Sequence, residues 1–163
     1  MNSPRGLTKV VSVVFLTGFF LSQPAGSPAV EKAPEFSLTD LQGQHQSLSQ
    51  YQGKPVVLYF WATWCPACRN EVEKMKDVYQ KYHPRGVEFV SVSLDTDRAK
   101  LEKFVREKKI GYPVLFDGRG WENQVAKTYG IYSTPTFVLI NPEGGIQALG
   151  SWSGDLKSYL DRI

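Results

Sequence analysis

The chain predicts an α/β domain built on a mixed central sheet with helices on both faces. Two observations carry this. Strand-like apolar runs rich in β-branched residues alternate with segments of helical spacing from residue 55 to 130. A final pair of strand-like runs, TFVLI and IQALG, flanks the turn NPEGG and reads as an antiparallel hairpin, which makes the sheet mixed.

In chain order, EFSLTD, the turn LQGQ and QSLSQ form a small N-terminal β-hairpin with Gly43 in its turn. Gln50–Gly53 is a helical turn or loop. PVVLYFWA is an unbroken apolar run, as expected of a central strand covered on both faces. A helix follows, with Val72, Met75, Val78 and Tyr82 at helical spacing and His83, Pro84 and Gly86 ending it. VEFVSVSL is the next strand. Asp95, Thr96 or Asp97 caps a helix carrying Leu101, Phe104 and Val105, and Gly111 closes it. YPVLFD is a short strand, and WENQVAKTY is one helix ending at Gly130. After the hairpin, Ser153 caps a final helix with Leu156, Tyr159, Leu160 and Ile163.

The 163 residues suit one domain. Residues 1–29 read as a signal peptide or an N-terminal membrane anchor, and residues 30–163 as the folded domain. Arg5 and Lys9 precede the apolar run VVSVVFLTGFFL, and small residues follow in AGSPAV. The run is shorter than the roughly 20 residues of a spanning helix. No cysteine follows it to carry a lipid. The formal charge is +3; setting aside Arg5 and Lys9 leaves 17 basic residues against 16 acidic ones. Such a balance gives no reason to expect nucleic acid.

Both cysteines of the chain lie in CPAC, as Cys65 and Cys68. A pair spanning four residues constrains the unfolded chain very little, so stabilisation is a poor explanation for it. A zinc site wants further ligands, and neither His45 nor His83 has ligand spacing to the pair. Covalent haem attachment wants His where Arg69 stands. The approach to a peroxidatic cysteine, Pro-x-x-x-Thr-x-x-Cys, is replaced at Leu58 and Ala62. These readings are weaker than thiol–disulfide exchange. Cys65 sits where strand hands over to helix, so unpaired N–H groups and the helix dipole favour its thiolate. Pro66 fits the first helical position, where no N–H is needed. Cys68, one turn on, can attack a mixed disulfide at Cys65 and resolve it.

FWATWCPAC and TPTF, with GKPVVLYFWATWC, INPEGG and an αβ unit inserted between residues 97 and 117, resemble the thioredoxin superfamily. Within it the chain is similar to TlpA/ResA-like exported thiol–disulfide oxidoreductases of the AhpC/TSA-Redoxin type. The resemblance implies a thioredoxin-like fold and catalytic roles for Cys65, Cys68 and Glu71, the last as a proton carrier. It implies substrate contacts at Trp64, Pro66, Ala67, Thr134 and Pro135, with Pro135 as the cis-proline facing the disulfide. It also implies no cofactor, exported protein substrates with cysteines or disulfides, a membrane thiol-electron transporter as donor, and a monomer in the periplasm or on the outer face of the membrane. Apocytochrome c and copper-site cysteines are clients known for relatives. The alternatives are an exported oxidase or isomerase, and a client-binding module. Two positions depart from the pattern: Glu73 replaces a helix-kinking proline, and Tyr59 replaces the buried aspartate of thioredoxins proper.

Overall fold

The computed structural model describes residues 30–162, so the segment 1–29 expected to be a signal or anchor, and Ile163 of the expected final helix, lie outside the described residues. The hairpin is β1 (Ser37–Thr39) and β2 (His45–Ser47), paired antiparallel. Its turn is set by Asp40, whose carboxylate accepts from Gln42 N and Gln44 N, and by Gly43 at φ +82°. Then follow β3 (Val56–Trp61), α1 (Pro66–Tyr82), β4 (Glu88–Ser93), α2 (Arg98–Lys108), β5 (Val114–Leu115), α3 (Gln124–Thr128), β6 (Thr136–Ile140), β7 (Ile146–Gly150) and α4 (Ser153–Leu160).

The main sheet has the order β5-β4-β3-β6-β7. β3, β4 and β5 run parallel, while β6 and β7 are antiparallel to their neighbours. All six residues of β3 are buried, as its unbroken apolar run requires of a strand between two others and covered on both faces. Each such side chain contributes about 1.5–3 kcal/mol. Tyr79 of α1 packs edge-on against Phe89, and Phe104 of α2 lies 5.6 Å from Trp61, on one face of the sheet. Tyr129, just beyond α3, meets Phe60 on the other face and donates from its hydroxyl to Pro34 O. Helices therefore cover both faces, and α4 packs beside α1.

Three sequence expectations need correction. Gly111 does not close α2; Lys109 does, in the left-handed region at φ 52°. Gly111 instead leaves room for Tyr79, whose Cε1 would lie 3.3 Å from an added Cβ. The expected helix WENQVAKTY is divided into a 3-10 turn at Gly120–Glu122 and α3, because the Asn123 side chain accepts from Ala126 N and starts a new helix. Ser153 is the first helical residue of α4 and not its cap; Trp152 holds the cap position with no side-chain bond. Helix α1 runs unbroken past Glu73 to Tyr82.

Candidate active site

The site lies at the edge of the sheet where β3 and β4 end and β6 begins. β3 delivers the chain to the turn Ala62–Trp64, and Cys65 becomes the N-cap of α1. Cys65 and Cys68 form a disulfide, with Cα atoms 5.2 Å apart. Pro66 takes the first helical position, as its missing N–H allows. The N–H of Cys68 donates to Cys65 Sγ at 3.1 Å. That bond and the helix end both stabilise negative charge on this sulfur. Cys65 is 5% exposed and Cys68 0%, so an incoming sulfur meets Cys65 first.

The loop before β6 closes the other side. The Thr134–Pro135 peptide bond is cis, and Thr134 O lies 3.5 Å from Cys65 Sγ, within reach of the reduced thiol. Pro135 is buried and Thr134 half-buried, while Pro66 is exposed and Ala67 half-buried beside the disulfide. Trp64 is exposed, and its Nε1–H donates to Leu94 O at 3.3 Å. The fold thus brings Trp64, Cys65, Pro66, Ala67, Cys68, Thr134 and Pro135 to one edge.

Glu71 is buried one turn beyond Cys68, and so is no solvated surface charge. Its Oε1 accepts from Lys74 Nζ at 2.7 Å and its Oε2 from Ser153 N at 3.0 Å. Glu71 thereby caps α4 from another helix. Burial pushes its carboxyl upward, but the Lys74 ammonium and Ser153 together outweigh this and hold it below its ordinary value. Tyr59, at the place of the thioredoxin aspartate, is buried with a hydroxyl that has no protein partner, and burial pushes its ionisation far upward. It offers no proton at ordinary pH.

Sequence reasoning missed Asp95 as part of the site. Its buried carboxylate accepts from Thr63 N at 3.0 Å, Thr63 Oγ1 at 2.5 Å and Ser93 Oγ at 2.8 Å. It ties the turn ahead of Cys65 to the end of β4. The one signal in the sequence was a surplus: three capping candidates before a helix that needs one. Asp97 is the cap, through Lys100 N.

A CxxC disulfide at a helix N-terminus, faced by a cis-proline on this α/β sheet, defines a thioredoxin-fold thiol–disulfide oxidoreductase. The AhpC/TSA family profile matches residues 29–149. The thiol–disulfide oxidoreductase ResA of Bacillus cereus is 32% identical in an alignment covering 100% of this chain and 99% of that protein. Among solved structures, a putative thiol:disulfide interchange protein DsbE from Chlorobium tepidum is 30% identical with a TM-score of 0.71, over 82% of this chain and 92% of the other. A secreted Mycobacterium tuberculosis disulfide oxidoreductase homologous to E. coli DsbE is 25% identical with a TM-score of 0.68, over 78% and 96%. The chain belongs to the AhpC/TSA family, among its ResA-like thiol–disulfide oxidoreductases.

Proposed function

We propose that the protein works as a reductase of disulfides in proteins outside the cytoplasm, of the kind that serves cytochrome c maturation. One observation supports this direction above others. The charged side chains buried among the described residues are Asp40, Glu71 and Asp95, all acidic, and two of them adjoin the CxxC motif. The residues between the cysteines, Pro66 and Ala67, bring no charge or imidazole. These carboxylates oppose the stabilisation that the helix end and the Cys68 N–H give the Cys65 thiolate. To that extent they favour the disulfide and make the dithiol a stronger reductant.

In the reaction, the Cys65 thiolate attacks one sulfur of the client disulfide. That S–S bond breaks, and the departing client sulfur leaves as thiolate and takes up a proton. Cys68 then gives up its proton and attacks Cys65 Sγ. The mixed disulfide breaks, the second client thiol is released, and the Cys65–Cys68 disulfide forms. Two electrons pass from the dithiol to the client, and a membrane dithiol donor restores them. Glu71, held ionised, is our candidate acceptor for the Cys68 proton. Trp64, Pro66, Ala67 and the backbone of Thr134–Pro135 hold the client segment, the last by strand-like pairing. Export is supported by the sequence of residues 1–29 and by the likeness to the secreted M. tuberculosis disulfide oxidoreductase. The protein acts as a monomer and needs no cofactor beyond its own sulfurs.

The test is the redox state in growing cells. Acid quenching and thiol alkylation should find Cys65 and Cys68 mainly as dithiol, shifting to disulfide when the membrane donor is removed. Cys68→Ala should accumulate mixed disulfides with its clients, which mass spectrometry can name. A pair that is fully oxidised with the donor present speaks for an oxidase.

A further inference from the structure

We propose that the cleft beside Trp121 is a second client subsite, which receives an apolar side chain carried close to the reacting cysteine of an extended polypeptide segment. The proposal rests on the oxidoreductase reading, which brings a client cysteine to Cys65.

Trp121 sits on the 3-10 turn Gly120–Glu122 and is 43% exposed. Its ring centre is 6.1 Å from that of Trp64, at an interplanar angle of 57°. Trp64 is itself 51% exposed and directly precedes Cys65. The two indoles therefore form one continuous apolar surface leading away from the sulfur. Beyond Trp121 a cleft of about 460 Å³ is lined by Trp121, Glu122, Lys127, Ile131 and Tyr132. Ile131 is buried, Tyr132 is 91% exposed, and both lie on the segment that leads to Pro135. Glu122 and Lys127 form an ion pair there.

Two features of the chain fix Trp121 in place. Gly120 has φ +57°, and a Cβ added to it would meet Thr96 Cγ2 at 3.2 Å, so the turn approaches the loop after β4 as only glycine allows. Asn123, wholly buried, ends the turn and caps α3. The fold thus holds a large aromatic half in water, next to another in the same condition. Folding alone gives no reason for such adjacent exposure, whereas contact surfaces do. Apolar aromatic walls with a charged pair alongside match the make-up of a binding hot spot.

The occupant follows from the chemistry. A client joined to Cys65 by a mixed disulfide is pinned at its cysteine, and an extended chain advances about 3.3 Å per residue. Residues two or three positions from that cysteine therefore fall over the Trp64–Trp121 surface. A leucine, methionine or phenylalanine there buries its side chain against the indole; a serine does not.

The experiment compares two disulfide-bonded peptides that differ only in Leu or Ser two residues from the cysteine. Wild type should reduce the Leu peptide with a kcat/KM about tenfold higher. Trp121→Ala should bring the ratio close to one, and Tyr132→Ser, at a fully solvated position where folding is not at stake, should lower it in the same sense. Val30→Ser, at an exposed apolar residue on the opposite end of the sheet, should leave the ratio unaltered. A parallel titration of Cys65→Ser/Cys68→Ser with thiol-blocked peptides reads binding without turnover. There the Leu preference should persist and again depend on Trp121. Absence of any Leu preference in that titration, or a preference that survives both Trp121→Ala and Tyr132→Ser, overturns the subsite. Failure of wild type to reduce either peptide, with the binding preference intact, refutes the reductase reading alone.

Discussion

Glu71 illustrates what one residue can be asked to do. Its carboxylate joins Lys74 within α1 to the first N–H of α4, 82 positions away in sequence. Its position on the face of Cys68 was legible from spacing, and its family role from resemblance. The bond to Ser153 was not legible, because periodicity describes one helix and says nothing about which helix end will arrive beside it. Glu71→Gln should cost about 1–3 kcal/mol at pH 7, since a charge-assisted bond to a buried carboxylate is lost. The folded pKa lies below the unfolded one, so this stability is present above the ordinary range near 4.3 and lost as pH falls through the lowered folded value. Denaturant melts of the two proteins should therefore differ at pH 7 and converge on acidification. The same variant tests proton transfer: a shifted pH profile of thiol exchange assigns Glu71 to the chemistry. An unchanged profile leaves it the cap of α4. Glu73→Gln, whose carboxylate is exposed and paired with Lys76 and Lys108, is the control.

At the scale of elements, the strands and the helix after CPAC were legible because each carries a strong local pattern. β3 is apolar at every position, and α1 repeats its buried residues at three and four. The boundaries that went astray turn on polar side chains and glycines whose partners, local or tertiary, apolar periodicity does not display. Asn123 broke a helix that periodicity had joined, and Gly111 served a ring on another element. Asp95 is the most consequential of these. It fastens the turn of Thr63 to β4 and so fixes the height at which Cys65 meets Thr134. Asp95→Ala leaves two hydroxyls and one N–H short of an acceptor and should cost about 2–4 kcal/mol in urea denaturation. It should also slow disulfide exchange with small disulfides, because the attacking sulfur is no longer held in place. Thr63→Val, which loses the hydroxyl contact alone, should show a smaller loss of the same kind. Equal stability of wild type and Asp95→Ala would show that the latch is dispensable.

For the molecule as a whole, the α/β class and the mixed sheet followed from the alternation of elements, whereas the strand order β5-β4-β3-β6-β7 did not. Nothing local in YPVLFD says that it becomes an edge strand, or that the hairpin residues Thr39, Asp40 and Leu41 will cover it. Redox state couples to the whole fold by a thermodynamic cycle: a disulfide that folding favours in turn favours folding. A reductase should therefore melt several degrees higher oxidised than reduced, and calorimetry on the two forms reads this directly. Higher stability of the reduced form would mark an oxidant. The Lys32–Gly145 bridge, finally, sets an orientation. It pins the chain's entry beside Ile140 and Ile146, at the pole of the sheet where β3 starts, whereas the disulfide lies past the pole where β3 ends. Five peptide steps of strand separate these poles, on the order of 16 Å. Anything that held the protein by residue 30 would act as a stalk at its base and leave the sulfurs at the free tip, facing whatever diffuses past.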